Sequence, residues 1–212
     1  MQTFAIAALL LCGSTEWTDG SLVVLYNSNK IVAGWTDSEV THVALLLNVD
    51  GQPWVYEATP GKVRRVPMDS YREELRTLNA SRRRPTRMSI LEPKRPYSPR
   101  QIAKMTTYLN EQLGRRYSIK GVVRKKPSDG IQCAEYVATA LTRTGRYRVT
   151  NAHMLHPATI VRNAAPLHAA PASVSIKPRK SQESWCTRSW KQWDSMQTWC
   201  SWAWYEAFLF CW

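Results

Sequence analysis

Residues 40–58 read VTHVALLLNVDGQPWVYEA, and this stretch decides the fold. Val40 to Val49 is an apolar run of strand length, and Trp54 to Ala58 is a second one. Asp50-Gly51 between them is a strong hairpin signal, because Asp and Gly tolerate the positive φ of a tight turn. With those two residues at the turn, position i faces position 101 − i, so Glu57 lies opposite Ala44 and His42 opposite Thr59. His42 and Glu57 then share a face one diagonal step apart. A register change of one residue would send them to opposite faces, so the hairpin geometry is a sharp test.

Working outward, Leu22 to Tyr26 and Val63 to Val66 are further strands, and Met88 to Leu91, closed by Glu92-Pro93, is another. Together they predict a small antiparallel sheet. A first helix is expected from Asp69 as N-cap through Tyr71, Leu75 and Leu78, on the solvated side because of its charged residues. Ser98-Pro99-Arg100-Gln101 predicts a better specified helix, with a Ser cap, Pro at the first position, Gln completing a capping box and Gly114 as the stop. Its apolar stripe is Ile102, Met105, Leu109 and Leu113.

The last helix is the informative one. Cys133, Tyr136, Val137, Ala140 and Leu141 fall on one face, and Gly145 ends the run. Cys133 therefore sits in the first turn, where the helix dipole and free backbone N–H groups favour a thiolate and supply donors for an oxyanion. By itself such a cysteine is also an ordinary small core residue. A cysteine nucleophile needs a base, and the base needs a polar group to fix its ring; His42 and Glu57 are the right types.

With Asp19-Gly20-Ser21-Leu22-Val23, Thr41-His42-Val43-Ala44-Leu45, Val55-Tyr56-Glu57-Ala58, Gly114-Arg115-Arg116-Tyr117, Gln132-Cys133-Ala134-Glu135-Tyr136-Val137 and His156-Pro157-Ala158-Thr159-Ile160, the chain resembles the permuted papain-like amidases or peptidases of the YiiX/YebB type, in the NlpC-like superfamily. The resemblance covers about residues 18–163 and is carried by the order His, Glu, Cys. It implies an α+β, circularly permuted papain-like fold, with a small antiparallel sheet packed on the helix that carries the cysteine. It also implies Cys133 as nucleophile, His42 as general base and then acid, Glu57 as orienting group, and the Cys133 N–H as part of an oxyanion hole. Tyr117 would line the pocket or pack in the core. Ser21, where the family usually has an acidic residue, and Ala134 in place of the commoner Ser are departures that leave those three residues intact.

The implied activity is hydrolysis of an amide through an acyl-enzyme, with cell-wall peptide the superfamily's commonest substrate. A lipid acyltransferase or thioesterase of the lecithin:retinol acyltransferase type is the second enzyme reading, although its Asn-Cys-Glu-His-Phe motif is poorly matched by Gln132 to Tyr136. The substrate would be a peptide or a lipid amide. No cofactor and no metal are expected: the five cysteines contain no C-x-x-C pair, and His153 and His156 form an isolated H-x-x-H.

Composition supplies a third reading. The 212 residues carry a net charge of +13, and residues 60–126 alone hold 19 basic against 5 acidic residues. A charge excess confined to one stretch suits a polyanion, such as an anionic cell-envelope polymer, without any specific nucleic-acid motif. Arg82 to Arg84 and Arg124 to Lys126 would carry a non-catalytic binding module.

At the ends, residues 1–15 are an apolar segment too short to span a bilayer, which needs about 20 residues, but long enough for the core of a secretory signal. Met1-Gln2 lacks the usual basic residue, so export, a cell-envelope position and the cytoplasm all stand open. Residues 16–163 are the expected hydrolase domain, 164–183 a Pro/Ala-rich basic linker, and 184–212 a tail holding seven of the ten Trp and three of the five Cys.

Overall fold

The computed structural model describes residues 17–179, so Cys12, the apolar N-terminal segment and the Trp-rich tail lie outside the described residues. In chain order the elements are β1 (Ser21–Tyr26), α1 (Lys30–Thr36), β2 (Val40–Val49), β3 (Gln52–Ala58), β4 (Val63–Pro67), α2 (Met68–Ala80), β5 (Arg87–Leu91), α3 (Pro99–Glu111), α4 (Lys120–Arg124), α5 (Cys133–Thr142), a 3₁₀ turn (Ala152–Met154), α6 (Pro157–Ala164) and β6 (Ala172–Val174). The strands form one antiparallel sheet in the order β4-β3-β2-β1-β5-β6.

The hairpin has the register its turn dictates. Leu45 faces Tyr56 and Val49 faces Gln52, and Asp50 and Gly51 both take positive φ, 52° and 76°. Both faces of the central strands are covered, which explains why Leu22 to Leu25 and Val43 to Leu47 are continuously apolar rather than alternating. On one face Leu22, Val24, Val43, Leu45, Leu47 and Tyr56 pack in a single buried cluster with Met105, Leu109, Tyr136, Val137 and Ile160 from α3, α5 and α6. On the other, Val23, Ala44, Leu46, Val55 and Val66 pack with Met68, Tyr71 and Leu75 of α2.

That second layer corrects the solvated position expected for the helix after Asp69. Met68, Tyr71, Leu75 and Asn79 are buried at helical spacing, and only Leu78 of the expected stripe is exposed. Its cap differs too: β4 runs straight into α2, so Pro67, which ends the strand for want of an N–H, occupies the cap position and Asp69 moves into the first turn. The capping box of α3 is present, with the Ser98 hydroxyl accepting from the Gln101 N–H and the Gln101 side chain accepting from the Ser98 N–H. This helix ends at Glu111, before Gly114, and Leu113 is exposed beyond it. Helix α1 is an addition within a stretch that has no readable helical period.

Packing continues beyond Asn163, where a linker was expected. Ala169 donates to the Glu92 carbonyl, His168 is buried with Nε2 at 3.2 Å from the Gly20 carbonyl, and β6 pairs with β5. Backbone pairing on the open edge of β5 holds this Pro/Ala-rich segment, together with Leu167, Val174 and Ile176, which pack against the two core clusters.

Candidate functional site

The site is assembled from three elements. β2 and β3 bring His42 and Glu57 to one face at the open end of the hairpin, and α5 brings Cys133. His42 Nε2 lies 2.8 Å from Glu57 Oε2, and Cys133, whose thiol lies 3.8 Å from Gln132 Oε1, is the neighbour that most strongly favours a proton on the same imidazole. With Nε2 on the carboxylate, Nδ1 is the ring nitrogen left for sulfur. His42 is therefore the middle member of a line.

Alternation alone would not bring His42 to Cys133. Ala44 and Leu46 belong to the layer under α2, whereas Cys133 belongs to the cluster under α5. The register against β1 shifts at this place: Leu25 faces His42 but Tyr26 faces Val40, so Thr41 is an extra residue in β2. Such a bulge bends the strand and re-aims the side chain beside it. The Thr41 hydroxyl fixes the bulge by accepting from the Ser28 N–H at 2.9 Å.

Cys133 is placed by the start of α5. Gln132 is its N-cap, accepting from the Ala134 N–H at 2.9 Å while its own amide donates to the Leu155 carbonyl at 2.6 Å. As the first helical residue, Cys133 has no carbonyl one turn back for its own N–H. The approach to the cap runs through Gly130, where a Cβ would sit 2.3 Å from that of Ser118 and 3.0 Å from the Arg116 carbonyl. Only glycine lets these segments pair, with Ile131 donating to Arg116 and Ser118 donating to Ile131.

The site is closed in: Cys133 is 3% exposed, and the side chains of His42 and Glu57 13% and 4%. Burial opposes a charge on His42, but Cys133 and Glu57 outweigh it and raise its pKa to about 10. Burial likewise opposes the Glu57 carboxylate and is overcome by His42 and Arg64, which leave its pKa below the ordinary value. Arg64, directly opposite Glu57 across β3 and β4, donates to Oε1 from Nε at 2.8 Å. From α2, the buried Tyr71 phenol neighbours Glu57, and burial and the carboxylate push it well above its usual value.

Tyr117 is buried in the same core cluster as Cys133, and its backbone bridges to Ile131. Arg82 is tied internally to the Asn27 carbonyl and Thr86, whereas Lys125 and Lys126 are exposed. Two contacts are only partly legible in the sequence: the Gln132 cap, and the Glu57 ion pair, for which the sequence offers Arg64 and Arg65 alike and the structure uses Arg64. Gln132 was open to discovery as a polar residue immediately before a helical run. The Arg64 contact depended on the length of the turn at Thr59 to Lys62, which carries no unique register signal.

No family model matches the chain, and neither does any curated protein. Among solved structures, the chain is similar to the crystal structure of metalloprotein yiiX from Escherichia coli O157:H7, DUF1105, at 14% identity and a TM-score of 0.49, over 77% of this chain and 99% of that one. Among the described residues of the present chain, no group of three or more His, Cys, Asp and Glu is arranged to hold a metal ion. No helix among them is long and apolar enough to cross a membrane.

Proposed function

We propose that this chain is a cysteine-dependent hydrolase of circularly permuted papain-like design, an amidase or peptidase acting on a peptide or lipid amide through an acyl-enzyme. One observation carries the reading: a buried histidine hydrogen-bonded to a carboxylate, with a cysteine at a helix N-terminus beside it that favours its protonated form. In the proposed cycle the Cys133 sulfur, its proton held by His42, attacks the carbonyl carbon and forms the C–S bond. The oxygen takes up the negative charge beside the Cys133 N–H. His42 then gives its proton to the leaving nitrogen as the C–N bond breaks. Water, deprotonated by His42, hydrolyses the thioester, and the proton returns to the sulfur–imidazole pair. Glu57 keeps the ring oriented and favours its protonated form.

The decisive experiment is peptide-resolved alkylation of Cys133 by iodoacetamide as a function of pH, in the full chain and in His42→Ala, followed by mass spectrometry after incubation with cell-wall peptides and N-acyl lipid amides. Fast alkylation well below pH 8.5 that is lost in His42→Ala, with a thioester mass on Cys133, supports the reading. Alkylation of an ordinary thiol in both proteins, and no adduct, overturns it. Nitrogen NMR gives a companion outcome: His42 stays an imidazolium through neutral pH and loses its proton only near pH 10.

A further inference from the structure

The Glu57 carboxylate has two oxygens and two partners, and the second partner is itself held. Oε2 receives His42, while Oε1 receives both Nε and Nη2 of Arg64, at 2.8 and 2.7 Å. The guanidinium then reaches on to Glu74 of α2, with Nη2 at 2.7 Å and Nη1 at 3.3 Å from its two oxygens. Exposure rises along this line, from 4% at the Glu57 side chain to 33% at Arg64 and 48% at Glu74. The neighbouring Arg65 takes no part; it faces Tyr56 in the ladder and lies over the Trp54 ring, 4.9 Å from its centre.

We propose that Arg64 is a positioning residue of this site, clamping the far oxygen of Glu57 so that the near oxygen stays fixed on His42, with Glu74 anchoring the clamp. The inference deepens the hydrolase reading and rests on it for its catalytic consequence. Its physical basis is that a carboxylate buried this deeply, with one oxygen left bare, takes up a proton instead of remaining charged. A protonated Glu57 no longer holds the imidazolium. The planar fork of arginine can satisfy Oε1 and Glu74 together, which the single nitrogen of lysine does less well. The charged and titratable groups facing Glu57 are His42 from β2, Arg64 from β4, and Tyr71 and, through Arg64, Glu74 from α2; Cys133 acts through His42.

The test uses the full chain with carbon-labelled glutamate, the Glu57 signal being assigned by its loss in Glu57→Gln. Carboxyl titrations and peptide-resolved alkylation of Cys133 are compared in wild type, Arg64→Met, Arg64→Lys and Glu74→Gln. In Arg64→Met, protonation of Glu57 is expected to move up by about one to three pH units, and the acid limb of Cys133 alkylation to move with it. Lysine restores most of the titration but not the full alkylation rate, and Glu74→Gln gives a smaller shift of the same sign. An unmoved Glu57 titration in Arg64→Met, or a lysine variant that behaves like methionine in both measurements, overturns the clamp. The carboxyl titration needs no turnover. A shifted Glu57 beside an unreactive wild-type Cys133 would therefore sink the hydrolase reading while upholding the clamp.

Discussion

Under α3, α5 and α6 the sheet buries Leu22, Val43, Leu45 and Leu47 against Met105, Leu109, Tyr136 and Val137. Under α2 the same strands bury Ala44, Leu46 and Val55, but this layer also carries the ionised pair Glu57 and Arg64 at its margin. The first layer is thick and apolar where it receives Cys133; the second is a single amphipathic helix whose Glu74 leads charge outward to solvent. The difference shows why His42 stands at a strand end. It is there that an apolar environment for sulfur and a charge-tolerant environment for a carboxylate come within reach of one imidazole.

The comparison can be broken most severely at the sulfur. Cys133→Ala is expected to abolish covalent turnover, a loss of at least about 10³-fold, while leaving the Glu57 to His42 bond in place, as shown by the NMR signals of that pair. Next come two adjacent residues, each 0% exposed, that face opposite layers. Leu45→Ala and Leu46→Ala should each cost about 2–5 kcal/mol in urea unfolding, but only Leu45→Ala should also alter Cys133 alkylation, because only that layer holds α5. Equal changes in reactivity would contradict the division. Gly130→Ala forces apart the segments that deliver Cys133, with an expected cost of about 1–3 kcal/mol and slower alkylation. Ser98→Ala removes the α3 cap for about 1 kcal/mol and should leave alkylation unchanged, a control that separates stability from site geometry.

The smallest effect is expected from His168, which lies apart from both halves of the site. Burial lowers its pKa, against the pull of the Gly20 and Ala164 carbonyls, and Lys94 lowers it further. The unfolded chain therefore binds a proton more readily than the folded one. Stability should fall as pH drops below about 6.5, and His168→Gln should flatten that part of the urea midpoint profile.

Much of the fold and of the site is legible in the sequence, and for identifiable reasons. Asp50-Gly51 fixes a two-residue turn and, with it, the ladder from Val49 and Gln52 up to Leu45 and Tyr56, just short of His42 and Glu57. Ser98 to Gln101 spells out a helix start by reciprocal hydrogen bonds between near neighbours. The apolar face of α5 locates Cys133 in the first turn by period alone. What these share is short range: each depends on residues within a few positions of one another.

Tertiary structure decided the rest. The charged face of α2 suggested solvent, but Tyr71 and Leu75 cover a sheet whose second face needed burial. Arg64 and Arg65 are indistinguishable as partners for Glu57 until the turn between β3 and β4 sets the register. Ala172 to Val174 becomes a strand because β5 offers an open edge of backbone donors and acceptors, which also lets Val174 pack on the α2 layer. The bulge at Thr41, which turns His42 toward Cys133, depends on how β1 lies beside β2. Sequence by itself determined the hairpin, the α3 capping box and the helix that carries the thiol, since those follow from local periodicity and local hydrogen bonding. Whether the imidazole meets the sulfur, and which arginine holds the carboxylate, only the assembled sheet could decide, because both depend on register between strands and on which layers cover them.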